Sequence, residues 1–293
     1  MSQSHCSYNG QLITDHNQTE NLTADRGLAY GHGLFESILF TNSQLVLLER
    51  HLQRLNRDAK ILGIPIQSSL IRVYLNQFLD YLQSQNIDNG VIKIILTAGI
   101  GGRGYQSPQP IEPSIYCSYS SLPADINAPK KNAIAVRYCQ HRLPNQPALA
   151  GIKHLNRLDQ VLARQEWNCA DFQDGLMFDQ SNQLIEAISA NVFIQNASGE
   201  WLTPCLQDAG VSGVMRSLLM EEIFPACKIN LQVRAIDMDE LAECQQLLLC
   251  NSVRGLMRVN EIYNVQNELL RTLSADRQTL TLSDKLTEMY PCF

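Results

Sequence analysis

At 293 residues, with 45% hydrophobic and 18% charged residues, the chain can bury a sizeable core, which excludes a disordered protein and suits two ordinary domains or one large one. A formal net charge of −6 argues against a nucleic-acid partner, which would call for a basic stripe, while a few local arginines can still oppose that sign for an anionic small molecule. No run reaches membrane-spanning length, no basic-then-apolar leader opens the chain, and the nine cysteines show neither a CxxC pair nor zinc spacing, so a cytoplasmic protein with reduced thiols, no membrane partner and no metal is expected.

In chain order, the Asn9-Gly10 turn starts a short strand at 11–13. The segment from Asp25 to Ser37 then places Gly27, Gly31 and Gly33 close together. That spacing allows close backbone approach but fits neither the P-loop nor the dinucleotide fingerprint. Strands at 38–40 and 45–48 flank Thr41 to Gln44 as a hairpin. A helix follows with Leu52, Leu55, Ala59 and Leu62 as its apolar stripe, stopped by Gly63 and Pro65; Arg54 lies beside the stripe. A second helix covers 68–82, and the β-branched run 91–96 is a strand. Gly99 to Tyr105 is a glycine-rich loop carrying Arg103, and 114–119 is another strand. The polar, proline-bearing stretch 120–131 is the expected linker between an N-terminal α/β domain (1–119) and a C-terminal domain (132–293).

The second half opens with a strand at 133–138 and a loop at 141–147 carrying Arg142. Lys153 ends a short apolar approach, and Leu155, Leu158, Val161 and Leu162 after it recur on one helical face expected to anchor on the core. A lysine at such a strand–helix junction, partly desolvated, becomes a usable amine nucleophile and base; read from local pattern alone it is an ordinary solvated lysine at a strand end. Strands are expected at 175–178, 183–187, 191–194, 201–203, 247–250 and 256–262, with a helix at 214–224. So many strands with few helices argue for an α+β fold with a barrel-like or strongly curved sheet. In the strand at 183–187, alternation puts Glu186 on an otherwise apolar face, where a carboxylate needs a partner.

The segment Gly151-Ile-Lys-His-Leu-Asn-Arg-Leu-Asp-Gln-Val-Leu162 resembles the cofactor-lysine segment of the fold type IV pyridoxal-phosphate enzymes, the family that contains branched-chain and D-amino-acid aminotransferases. Gly-Gly-Arg-Gly-Tyr at 101–105 resembles a lyase branch of that family more than its aminotransferases, and the run from Asp208 to Arg216 is another strong block of the family resemblance. The likeness extends from Asp25 to about Val259, with His32 standing where the family usually has an aspartate.

That resemblance implies a two-domain, D-amino-acid aminotransferase-like fold, a homodimer and pyridoxal 5'-phosphate as cofactor. It implies Lys153 as the catalytic, cofactor-bearing residue and Glu186 as the acid facing the pyridine nitrogen. Arg54, the amides of Val214 and Met215, and Ser252 would hold the phosphate. The implied reaction converts 4-amino-4-deoxychorismate into 4-aminobenzoate and pyruvate, a step of folate biosynthesis. Its substrate has two carboxylates, for which Arg103, Arg142 and Arg254 are the candidates. Two alternatives stand beside it: a branched-chain or D-amino-acid aminotransferase of the same fold, and a non-enzymatic binding or scaffold protein with a solvated Lys153.

Overall fold

The structure is a computed structural model describing residues 5–13, 22–122, 126 and 133–293. Its contacts divide the chain into two compact units, Met1–Pro123 with Lys153–Asn156, and Ala124–Ile152 with Arg157–Phe293. The lysine segment, expected in the C-terminal domain, is thus counted with the first unit, because its backbone bonds run to that unit's strands. The expected linker at 120–131 falls mostly outside the described residues, with only 120–122 and 126 inside them.

In the first unit, β1 (Cys6–Tyr8), β2 (Gln11–Leu12), β3 (Gly33–Thr41), β4 (Gln44–Leu45), β5 (Gly90–Thr97) and β6 (Ser114–Ser120) form, among the described residues, an antiparallel sheet in the order β2-β1-β6-β5-β3-β4. Among the described residues, helices α1 (Arg26–Tyr30), α2 (Leu48–Ile61) and α3 (Ser68–Ser84) belong to the same unit. In α3 the buried residues Ile71, Leu75, Phe78 and Leu82 recur at helical spacing. Each such side chain contributes about 1.5–3 kcal/mol through burial. The expected hairpin is present but its second strand is shorter. Leu47 takes a left-handed conformation, φ 57°, which ends the strand and lets α2 begin at Leu48.

The second unit, among the described residues, is a mixed sheet of β7 (Ile134–Leu143), β8 (Asp174–Asp179), β9 (Leu184–Ala187), β10 (Asn191–Gln195), β11 (Trp201–Pro204), β12 (Leu231–Arg234), β13 (Gln246–Asn251), β14 (Gly255–Tyr263) and β15 (Leu269–Thr272). Their order is β12-β11-β10-β13-β14-β7-β8-β9, with β15 beside β14. Strand β7 runs parallel to both β8 and β14, while β10, β13 and β14 pair antiparallel. Leu176, Phe178, Val192, Ile194, Leu247, Leu249 and Ile262, from four of these strands, meet in one buried cluster. Helical residues 214–226 form one run, interrupted by a π-helical turn at Leu219–Ile223.

Two expectations about this unit change. Strand β7 continues to Leu143, so His141 and Arg142 lie on a strand and not in a loop. The helix after the lysine begins only at Leu158, and three of its apolar residues are exposed, Leu158 by 74%, Val161 by 46% and Leu162 by 49%. The periodicity identified a face correctly, but the chain's own core does not cover that face.

Candidate active site

Local structure around Lys153 is set by β3 and α2. The Lys153 carbonyl accepts the Phe35 amide at 3.1 Å, and the Leu155 amide donates to the Gly33 carbonyl at 3.0 Å. The segment therefore runs as an extra extended stretch along β3, bridged at Leu34 and His154. On its other side, the Lys153 amide donates to Asp58 Oδ2 at 3.1 Å. Fixed by these bonds, half-buried Lys153 sets its Nζ 4.2 Å from the centre of the Phe35 ring. A cation over an aromatic face is held electrostatically and partly desolvated. The lysine is thus no strand-end residue but is clamped through its backbone, with its amine directed along one ring.

Behind it lies a buried ionic cluster on one face of α2. Arg54 donates from Nε to Glu36 Oε1 at 2.9 Å and from Nη2 to Glu36 Oε2 at 2.5 Å, a bidentate pair. His51 Nδ1 donates to Glu36 Oε2 at 2.6 Å. Relative exposures of 1% for Glu36, 0% for His51 and 7% for Arg54 make this a desolvated network. Burial would raise the Glu36 carboxyl, but the Arg54 charge and the bonds from His51 and Arg54 overcome it and hold it down at about 2. Burial lowers His51 against the opposing pull of Glu36, and with a guanidinium beside the pair the imidazole stays neutral. Asp58 is raised by burial, opposed by its bond from the Lys153 amide and by Arg57. Read alone in the sequence, Arg54 is a solvated charge; it is buried because Glu36 partners it. The missed residues are Glu36, His51 and Asp58. Their signal was a polar row at 51, 54 and 58, helical steps of three and four alongside the apolar stripe.

In the second unit, Glu186 is 4% exposed on β9, and its Oε2 accepts the Val211 amide at 2.8 Å. Gln160 Nε2 donates to Glu186 Oε1 at 3.4 Å, while Gln160 Oε1 is buried with no hydrogen-bond partner among the described residues. Bonds from Gly151 N to Gly210 O at 2.9 Å and from Ser212 N to Gly151 O at 3.0 Å pin the turn that follows. Gly213 starts the helix Val214–Leu218 and has no side chain of its own to cap the first turn. The first amides of a helix have no intrahelical acceptor, so those of Val214 and Met215 are donors suited to an anion. A Cβ on Gly213 would meet Asn191 Oδ1 at 1.9 Å, so only glycine fits there. Asn191 in turn pairs with Cys250 across β10 and β13, which brings the end of β13 and Ser252 beside this turn. Asn251 Oδ1 accepts the amides of Val253 and Arg254 and so fixes the backbone around Ser252. These residues fit a phosphate and a protonated ring nitrogen.

The three arginine candidates differ. Arg103 is exposed on its loop. Arg142 is held on β7, with Nη1 donating to the Cys139 carbonyl at 2.6 Å, Nε to Asn182 Oδ1 at 3.0 Å, and its guanidinium over Phe178. Arg254 lines a hollow of about 240 Å³ with Arg164, Phe172, Asp174 and Ser189.

With this geometry in view, the comparisons are specific. Residues 33–262 match the family model described as Amino-transferase class IV, and the chain belongs to that family. It shows the fold type IV architecture expected of it. The chain is similar to the aminodeoxychorismate lyase of Vibrio harveyi, 32% identical over 86% of this chain and 91% of that one. Among solved structures it is similar to 4-amino-4-deoxychorismate lyase from Pseudomonas aeruginosa, 34% identical, with a TM-score of 0.86 over 98% of this chain and 100% of that one. A branched-chain amino acid aminotransferase from Escherichia coli shares the fold, with a TM-score of 0.80, at only 16% identity.

Proposed function

We propose that this chain is a pyridoxal-phosphate-dependent lyase that converts 4-amino-4-deoxychorismate into 4-aminobenzoate and pyruvate. What carries the reading is the clamped Lys153, joined to near-full-length similarity to lyases of this name from two organisms. When bound, pyridoxal 5'-phosphate supplies an electron sink conjugated to the substrate amine.

The chain's own residues do the rest. Lys153 would hold the cofactor through its amine, and that amine, when free, is the base that takes the proton from the substrate carbon bearing nitrogen. Loss of that proton drives expulsion of the enolpyruvyl oxygen and makes the six-membered ring aromatic, and Lys153 returns the proton during pyruvate release. Glu186 keeps a proton on the pyridine nitrogen, and its own position is held by Val211 and Gln160. The amides of Val214 and Met215, the Ser252 hydroxyl and Arg54 hold the phosphate oxygens, Arg54 being oriented by Glu36. With Arg142 already engaged by carbonyls, Arg103, exposed on its loop, is the better choice for a substrate carboxylate.

The working form is a homodimer in the cytoplasm. Uncovered apolar residues support the dimer: Leu158, Val161 and Leu162 in one unit, Leu28 and Tyr105 in the other. All nine cysteines are free thiols, which suits a reducing compartment, and among the described residues no helix is long and apolar enough to cross a membrane.

Borohydride tests the assignment. Reduction of the cofactor-loaded protein should fix the cofactor to one peptide containing Lys153. Labelling of any other lysine would refute it.

A further inference from the structure

Arg26, at the start of α1, is 3% exposed, yet its guanidinium bonds almost wholly to a loop some 75 residues away. Nη1 donates to the carbonyls of Gly101 at 3.3 Å, Gly104 at 3.2 Å and Gln106 at 3.2 Å, and Nη2 donates to that of Tyr105 at 3.0 Å. The loop closes around this cation with its carbonyls turned inward. That curl needs left-handed backbone at Gly101, Gly102 and Gly104, with φ of 107°, 83° and 56°. A Cβ on Gly102 would also lie 2.2 Å from the Gln106 carbonyl oxygen. With the carbonyls inward, the side chains of Arg103 and Tyr105 point to solvent, and Tyr105 is 90% exposed.

His32 completes the device. Its Nε2 lies 3.0 Å from the Leu62 carbonyl oxygen, and its Nδ1 lies 3.4 Å from Arg26 Nε. A carbonyl only accepts and a guanidinium only donates, so the ring carries its hydrogen on Nε2 and offers Nδ1 as acceptor. His32 therefore does for Arg26 Nε what a carboxylate at this position would do, which explains how histidine serves there.

We infer that Arg26, oriented by His32, is a positioning residue: it sets the conformation of the 101–106 loop and thereby presents Arg103 to a carboxylate of the substrate. This rests on the lyase reading for the identity of the substrate, but the loop's order can be tested without it.

The test compares the cofactor-loaded wild-type protein with Arg26→Gln, His32→Phe and His32→Asp, by hydrogen exchange and by steady-state kinetics. In Arg26→Gln, exchange in peptides covering 99–106 should accelerate about tenfold or more while peptides from β3 and β5 stay unchanged. The KM for 4-amino-4-deoxychorismate should rise about tenfold with kcat within about twofold and cofactor affinity unaltered, a split that general loosening of the fold would not give. His32→Asp keeps an acceptor for Nε and should behave as wild type, whereas His32→Phe should move towards Arg26→Gln. Unchanged loop exchange in Arg26→Gln overturns the proposal, and so does faster exchange with an unaltered KM. If Arg26→Gln loosens the whole protein, the His32 pair decides, and equal loop exchange in the Phe and Asp forms overturns it. A wild-type protein that releases no 4-aminobenzoate defeats the lyase reading alone, and the exchange arm still judges the loop.

Discussion

Replacing Arg54 by alanine separates a buried clamp from a surface charge. The side chain is 7% exposed and gives two hydrogen bonds to Glu36, itself 1% exposed. Removing the guanidinium leaves the Glu36 carboxylate desolvated, with neutral His51 as its remaining partner in the cluster. Breaking a buried ion pair from one side costs about 3–5 kcal/mol, because the stranded charge keeps its desolvation penalty. Urea unfolding of the apo-protein should show that loss. The double variant Glu36→Gln, Arg54→Met should recover much of it, since neither charge is then stranded. Cofactor binding is affected separately. One lost charge-assisted pair to phosphate, about 1.5–3 kcal/mol, predicts a dissociation constant about 10- to 150-fold weaker. Excess pyridoxal phosphate should restore much of the activity, because Lys153 and Glu186 are untouched. A stability change under about 0.5 kcal/mol would refute the buried pair, and equal cofactor affinities would refute the phosphate role.

Further outcomes follow from the same geometry. Glu186→Gln should fold normally yet lose on the order of 10²-fold in kcat, about 3 kcal/mol of transition-state stabilisation; an unchanged kcat would place the carboxylate outside the reaction. Gly213→Ala pushes a Cβ to 1.9 Å from Asn191 Oδ1, so the turn must shift, and titration of apo-protein should show cofactor affinity reduced by more than about tenfold. Acid stability reports the Glu36 cluster. The Glu36 carboxyl is held at about 2 against an ordinary 4.5, so its contribution, about 3 kcal/mol, is present above the unfolded value and is lost as pH falls through the folded one. His51 is also lowered, so its contribution begins to fade already as pH drops below about 6.5. Stability measured from pH 7 to pH 2 should fall over both windows, and Glu36→Gln should flatten the lower one.

Much of this was legible in the sequence, for physical reasons that also mark where legibility ends. Helices α2 and α3 were readable because burial of one face imposes a period, and β5 because its residues are β-branched. Periodicity says which residues share a face but not what covers it. Leu158, Val161 and Leu162 therefore pointed to a core contact that the chain does not make. The lysine's clamp was hidden because its partners, Phe35 and Asp58, lie about a hundred residues away, and only tertiary hydrogen bonds join them. Arg54 beside Glu36 was hidden for the same reason: a lone charge near an apolar stripe reads as solvated until its partner on another element is known. The glycines at 101–104 announced an unusual loop, while the buried guanidinium around which it curls left no trace in local sequence.

The most direct test supplies purified, cofactor-loaded protein with 4-amino-4-deoxychorismate and no keto acid. Equimolar 4-aminobenzoate and pyruvate should appear over many turnovers, and Lys153→Ala should abolish both. Amine transfer that requires a keto acid, with no 4-aminobenzoate formed, would contradict the lyase account, as would full turnover by Lys153→Ala.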